Sequence, residues 1–170
     1  MQNVRDGDLA GLSVLFERYN VLMFNFYLKM TADRDISQDL TQNLFYRIIK
    51  YRNTYKHEYP FRPWMYRMAR NLFADYCRNE KREGELMTDF NMTTAEIIDE
   101  EARFSEEDYT RLDQALSMLR LEQKEVLVLS RYQGLKYSEI SEVTKLSVPA
   151  IKVLIHRALK QLRGIYFKQT

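Results

Sequence analysis

The chain has 170 residues, of which 45% are hydrophobic, and a formal net charge of only +2 at pH 7. This length accommodates one domain or two small ones. The single cysteine, Cys77, excludes an internal disulfide, and one cysteine with two widely separated histidines offers no zinc-binding spacing. No apolar run is long enough to span a membrane, and the N-terminus lacks a signal-peptide pattern. These features predict a cytoplasmic protein that carries no metal and no other cofactor.

Long stretches of helical periodicity, with only 5 Gly and 3 Pro, predict an all-α fold. Charge is segregated along the chain: the segment 83–108 is rich in Asp and Glu, whereas Lys and Arg cluster on either side of it. We therefore expect two small helical domains, residues 1–82 and 109–170, joined by an acidic linker at 83–108. Such a linker is either a solvated spacer or a shield for the basic surfaces.

Within the first domain, the spacing of Leu40, Leu44 and Ile48 predicts an amphipathic helix from Asp33 to Tyr51. The opposite face of this helix is polar, which suits either solvent or a partner. That face presents Asp39, Gln42, Asn43, Tyr46 and Lys50.

An aromatic-rich loop at 53–60 precedes a basic helix predicted from Phe61 to Arg82. We place Tyr66, Arg70, Phe73 and Cys77 on the outward side of this helix, with Arg67 beside them. Aromatic rings interleaved with cations suit single-stranded nucleic acid, because bases stack on rings while cations follow phosphates. The alternative is that Trp64 belongs to the core and that the arginines are solvated.

The C-terminal stretch predicts two helices joined by a tight turn. The first covers Tyr137 to Val143, and Ser147 is placed to cap the second, with Pro149 in its first turn. Apolar residues recur along the second helix at steps of three and four. They are Val148, Ile151, Ile155, Ala158, Leu162 and Ile165. A short helix, a turn and a longer basic helix form the helix-turn-helix plan, although an ordinary helical hairpin has the same pattern.

In this order, the segments resemble a bacterial RNA polymerase sigma factor of the sigma-70 family, extracytoplasmic-function type. DLTQNLFYRIIKYR (39–52) is similar to the polymerase-binding helix of that family, and PFRPWMYRMARNLFADYCR (60–78) to its −10 recognition and melting segment. Residues 121–163 are similar to its −35 recognition domain. The resemblance implies core RNA polymerase and promoter DNA as partners, an anti-sigma factor as inhibitor, and no small-molecule substrate.

The resemblance also implies roles for particular residues. It assigns polymerase binding to Asp39, Gln42, Asn43, Tyr46 and Lys50. It assigns −10 recognition and melting to Asn53, Tyr55, Lys56, Tyr59, Arg62, Tyr66, Arg67 and Arg70. It assigns −35 recognition to Ser147, Ala150, Lys152, Val153, His156, Arg157 and Lys160. Lys145 stands in the turn where the family often has Gly, so a left-handed backbone there would be strained by about 1 kcal/mol or more.

Three hypotheses follow for the function. The first is a sigma factor, which directs promoter recognition and transcription initiation without catalysis of its own. The second is a DNA-binding regulator that works without polymerase, although such a protein does not need the 39–52 helix followed by a Trp-bearing basic helix. The third is an enzyme acting on nucleic acid. It is the weakest, because the carboxylates cluster in the linker and no phosphate-binding Gly loop appears.

Overall fold

The computed structural model describes residues 1–7, 10–84 and 106–166. Among these residues every regular element is helical, in agreement with the predicted all-α class. The N-terminal half contains α1 (Gln2–Arg5), α2 (Ala10–Thr31), α3 (Arg34–Lys50), a 3₁₀ turn (Arg52–Thr54) and α4 (Phe61–Gly84). The C-terminal half contains α5 (Glu106–Ser117), α6 (Leu121–Leu127), a π-helical turn (Val128–Tyr132), α7 (Tyr137–Thr144) and α8 (Val148–Tyr166).

The first half is a bundle of α2, α3 and α4 around buried apolar side chains. Met23, Leu44, Ile48 and Met65 are fully or almost fully buried between these helices, as the apolar spacing of α3 predicts. The Tyr27 hydroxyl donates to the Ala69 carbonyl at 3.2 Å, which satisfies the one polar atom of this buried ring. Because the bundle fixes α3 and α4 against each other, the surfaces that they present have a defined relative orientation.

Helix α3 begins where its sequence predicts. The Asp33 carboxylate accepts a hydrogen bond from the Ile36 amide at 2.9 Å and so caps the first turn. The helix ends at Lys50, and the chain then makes one 3₁₀ turn and a second turn before Pro60, in which the Tyr59 amide donates to the Lys56 carbonyl at 3.1 Å. Pro60 disfavours helix at the residue before it, which separates this loop from α4.

The second half ends in a helix-turn-helix. Lys145 follows α7 with φ 65°, a left-handed conformation, and its amide donates to the Ser141 carbonyl at 2.9 Å. The Ser147 hydroxyl accepts from the Ala150 amide at 3.4 Å, so the predicted cap of α8 is confirmed. Ile140 of α7 and Ile151 of α8 are both fully buried, and the two helices pack through these residues.

Two boundaries differ from the prediction. Helix α4 continues to Gly84 and α5 starts at Glu106, so helix extends into both ends of the predicted acidic linker. The rest of that linker, residues 85–105, lies outside the described residues. Helix is interrupted between α5 and α6 at residues 118–120, where the Leu119 amide donates to the Leu116 carbonyl at 3.2 Å.

The two halves pack directly on each other. Their buried apolar side chains form one continuous cluster, in which α2 contacts the π-helical turn and α4 contacts α7. Within the described part of the chain, no helix is both long enough and apolar enough to cross a bilayer.

Candidate nucleic-acid interface

Helix α3 presents its predicted polar face to solvent. Asp39, Gln42, Asn43, Tyr46 and Lys50 are all exposed. Tyr46 is 60% exposed, so this face offers a large aromatic side chain to solvent or to a partner. The Lys50 amine lies 6.0 Å from the centre of the Tyr46 ring and 5.6 Å from that of Tyr51, so a cation and two rings form one end of this face.

The 53–60 loop combines an aromatic base with exposed polar side chains. The Tyr55 ring is buried against Phe61 and Trp64, with ring centres 6.0 and 5.5 Å away, and its hydroxyl donates to the Tyr59 carbonyl at 2.9 Å. This support fixes the loop, from which three predicted site residues are exposed. They are Asn53, Lys56 and Tyr59. Tyr55 is therefore buried and stabilises the loop. Tyr59 is 58% exposed, so its ring is available for stacking.

The predicted outward side of α4 is mostly covered. Tyr66 is fully buried and Phe73 is only 6% exposed, so their outward assignment is wrong. The physical reason is that the C-terminal half packs on this side of α4, and Tyr66 also meets Phe26 of α2 edge to face. Cys77 is partly exposed, as a boundary position between the two sides would be.

The remaining α4 site residues are engaged by the C-terminal half. The Arg62 guanidinium donates to the Gln133 carbonyl at 2.5 Å, and the Tyr66 hydroxyl donates to the Gln133 side-chain oxygen at 2.7 Å. Arg67 donates to the Glu142 carbonyl at 3.1 Å. Arg70 pairs with the Glu125 carboxylate at 2.7 Å. The structure thus brings the predicted −10 residues of α4 together, but their polar atoms bond to the C-terminal half of the chain.

A cleft of about 630 Å³ opens at the same junction. Its walls carry Tyr55, Tyr59, Pro63, Trp64 and Arg67 from the first half, and Glu142 and Lys145 from the second. Rings and cations on one wall are the combination that holds an unstacked base and its phosphate.

The exposed face of α8 matches its prediction. Lys152, Val153, His156, Arg157 and Lys160 are exposed; at the N-terminal end of the helix Ser147 is exposed and Ala150 is half-buried. The opposite side is the core: Ile151, Ile155 and Ala158 are almost fully buried. A helix of this kind places its N-terminal side chains at base edges of the major groove and its cations near phosphates.

Arg120 extends this basic face and was not predicted from the sequence. It lines a shallow cleft of about 520 Å³ with Gln123, Arg157, Lys160 and Gln161. The Gln123 side-chain oxygen in this cleft is buried without a hydrogen-bond partner. Arg120 lies 37 positions before Arg157 in the sequence, so the helical spacing of α8 could not show that the two residues line one cleft.

Three buried titratable groups sit where the halves meet. Burial raises the pKa of the Glu125 carboxyl, although the Arg70 charge opposes the rise. Burial lowers the pKa of the Lys124 amine, which donates to the Met30 carbonyl at 3.0 Å. Burial also raises the pKa of the Tyr66 phenol, which stays a hydrogen-bond donor at neutral pH. Among the described side chains, no three His, Cys, Asp or Glu residues converge to hold a metal ion.

A basic helix-turn-helix joined to a helical domain with a ring-and-cation surface defines a DNA-binding protein. Two family models match it: "Sigma-70 region 2" over residues 15–83 and "Sigma-70, region 4" over residues 109–162. The extracytoplasmic-function RNA polymerase sigma factor SigM of Bacillus subtilis is 28% identical over 152 residues, which cover 89% of this chain and 93% of SigM. The RNA polymerase sigma factor CarQ of Myxococcus xanthus is 26% identical over 166 residues, 97% of this chain and 94% of CarQ.

Solved structures show the same fold. The sigma factor RpoE of Bartonella quintana, solved with the anti-sigma factor NepR, superposes with a TM-score of 0.79 at 19% identity, over 90% of this chain and 94% of RpoE. CnrH, solved with the cytosolic domain of CnrY, gives a TM-score of 0.76 at 20% identity, over 99% and 96% of the two chains. The chain belongs to the sigma-70 family of RNA polymerase sigma factors, and it is of the extracytoplasmic-function type.

Proposed function

We propose that this sigma factor binds core RNA polymerase through the exposed face of α3, reads the −35 element with α8, and opens the −10 element with the 53–60 loop and α4. The observation that carries the proposal is that the surfaces assigned to polymerase and to the −35 element lie on different helices. The α3 face and the α8 face are both free, and each is backed by its own buried side. The protein has no catalytic step of its own and works in the cytoplasm, where the polymerase is.

The −10 assignment is supported by the chemistry of the loop. Holding an unstacked base requires a ring, and base–aromatic stacking contributes roughly 1–3 kcal/mol per base. Tyr59 supplies an exposed ring, and Lys56 and Arg67 supply cations beside the cleft that Tyr59 lines. The −35 assignment is supported by Lys152, Arg157 and Lys160, which are exposed on one side of α8.

Co-elution with bacterial core RNA polymerase on a sizing column tests the polymerase surface. Wild-type protein should co-elute, and Tyr46→Ala should weaken binding by about tenfold or more, as expected when a central aromatic residue is lost from an interface. The matched control is Tyr51→Ala, which removes another exposed ring near Lys50 but one outside the assigned face. Failure of the folded wild type to co-elute at low salt would favour a regulator that works without polymerase.

Promoter opening tests the −10 assignment separately. Tyr59→Ala should reduce open-complex formation, measured by permanganate reactivity, because the unpaired base loses its stacking partner. Binding to the closed duplex promoter should stay near the wild-type level. Equal loss of both activities would contradict the role given to Tyr59.

An anti-sigma factor is proposed as the regulatory partner, since RpoE, which shares this fold, was solved with the anti-sigma factor NepR, and CnrH was solved with the cytosolic domain of CnrY. A protein that co-purifies with the chain at a one-to-one ratio and releases it from polymerase would support this proposal. Polymerase binding that stays unchanged by every co-purifying protein would count against it.

A further inference from the structure

An apolar side chain lies at the centre of the basic face of α8. Val153 is 48% exposed, whereas Ile151 and Ile155 are almost fully buried. Because each residue of an α-helix is turned by about 100° from the last, Val153 lies opposite these two core residues. Exposed cations follow it on the same face, Arg157 one turn later and Lys160 two turns later. The middle of the face assigned to the −35 element therefore carries a side chain that cannot form hydrogen bonds.

The surroundings of Val153 separate it from an ordinary exposed valine. Single apolar residues are common on protein surfaces, so exposure alone assigns no role. The apolar neighbours of Val153, however, are withdrawn from the surface: Ala150 is half-buried, and Leu154 packs against the buried apolar cluster. Val153 and, one turn earlier, Pro149 are the exposed apolar residues of this face.

Charge identifies duplex DNA as the molecule that covers this face. The sequence contains no Asp or Glu after Glu142, whereas Lys152, Arg157 and Lys160 are exposed on α8. Cations of this kind bind phosphates, which hold a helix in the groove but carry no sequence information themselves. Phosphate binding by these three residues brings Val153, which lies among them, against the edges of the bases.

A valine side chain matches only one base edge in the major groove. Guanine presents two acceptors there, cytosine a donor, and adenine an acceptor and a donor, whereas thymine presents a methyl group beside its acceptor. A valine packed over a polar edge removes water from it and offers no partner in return, which is unfavourable. A valine packed on the thymine methyl group buries apolar surface of both. Valine is also stiff at χ1 in a helix, so it loses little rotamer entropy on contact.

We propose that Val153 is a specificity-determining residue of this sigma factor, and that it selects −35 elements with thymine at the base pair it faces, by contact with the thymine methyl group. The proposal rests on the −35 role that the proposed function assigns to α8. It goes beyond that role because it names the chemical group that is read. In this arrangement the cations of α8 set the affinity for DNA, and Val153 sets a base preference.

The experiment first locates the base pair and then removes its methyl group. Holoenzyme assembled from the full-length chain and bacterial core RNA polymerase selects sequences from a duplex DNA library with a randomised upstream window. Each enriched thymine, on either strand, is then replaced singly by deoxyuridine, which pairs as thymidine does but lacks the methyl group. The readout is the ratio of the two Kd values, measured by fluorescence anisotropy. Because one preparation binds both duplexes, the ratio does not depend on the fraction of folded protein.

Two variants are compared with wild type. Val153→Ala removes the proposed reader. Leu159→Ala is the matched control, because it truncates another exposed apolar residue of α8, which helical rotation places about 120° away from Val153. At one enriched thymine, deoxyuridine should weaken wild-type binding about fourfold, the effect of one buried methyl group. The Leu159→Ala protein should show the same ratio, whereas Val153→Ala should bind the two duplexes equally.

Three results would overturn the proposal. They are a selection without thymine enrichment, equal binding of the two duplexes by wild type at every enriched thymine, and the same ratio in wild type and Val153→Ala. In the last case another residue, such as Pro149, reads the methyl group.

Failure of the proposed function gives a different result. If the chain does not co-elute with core polymerase, the polymerase role fails, and the same selection and ratio measured with the full-length chain alone still decide the role of Val153. If neither holoenzyme nor the chain alone binds duplex DNA, the reading by Val153 is overturned together with the −35 role of α8.

Discussion

Replacing Lys145 by glycine should stabilise the protein, although it removes a cation from the helix-turn-helix. Lys145 has φ 65° and ψ 12°, and a residue with a Cβ in this left-handed region costs about 1–2 kcal/mol. Glycine removes that strain but gives the unfolded chain more freedom, which costs about 0.4–1 kcal/mol. The net expectation is a stabilisation of about 0.5–1 kcal/mol.

For a chain of this length, each kcal/mol shifts the melting temperature by about 2–4 °C, so Lys145→Gly should raise Tm by roughly 1–4 °C. Scanning calorimetry at neutral pH measures this shift. Lys145→Ala is the matched control, since it removes the amine but keeps the Cβ in the same backbone conformation. The alanine variant should melt close to wild type. If alanine raises Tm as much as glycine, the effect comes from the charge and the strain argument is wrong.

Three other predictions follow from the structure. Arg157→Ala should lower the slope of log affinity against log salt for duplex promoter DNA by about 0.9, the value of one lost phosphate contact, and an unchanged slope would exclude Arg157 from the phosphates. Ile151→Ala, at a fully buried position of α8, should destabilise the protein by about 2–5 kcal/mol in urea denaturation, and a loss below 1 kcal/mol would mean that the α7–α8 core is loosely packed. The stability of the fold should fall as pH rises through the Glu125 pKa, because burial raises this pKa above its ordinary value and the folded chain therefore holds the proton more tightly than the unfolded chain does. Urea denaturation at a series of pH values measures this fall, and a Glu125→Gln variant that keeps the same pH dependence would exclude this carboxyl as its source.

Much of the fold was predictable because its signals are local. The seam of α8 repeats every three or four residues, and Ser147 and Lys145 mark the ends of adjacent helices through hydrogen bonds that span only a few positions. The polar face of α3 was predictable for the same reason: Leu44 and Ile48 fix which side is buried, and the opposite side is then exposed.

The hydrogen bonds of Tyr66 and Arg70 to Gln133 and Glu125 could not be predicted, because the partners are distant in sequence. Tyr66 and Gln133 lie 67 positions apart, and nothing in the period of α4 shows that a second domain covers its outer side. Lys124 and Glu125 pose the same difficulty, because charged residues are rarely buried unless paired, and their partners belong to the other half of the chain. The placement of Tyr66 and Phe73 on the outward side of α4 was wrong for this reason.

The π-helical turn Val128–Tyr132 has a consequence for how the chain tolerates insertion and deletion. Its closing bond runs from the Gln133 amide to the Val128 carbonyl at 3.0 Å, so the turn holds one residue more than an α-helical turn. One residue of α-helix corresponds to a rotation of about 100°. Deleting a single residue here would restore regular α-helix and change the orientation of Gln133 relative to Tyr66. The length of this turn therefore determines whether the Gln133 side chain can accept from the Tyr66 hydroxyl.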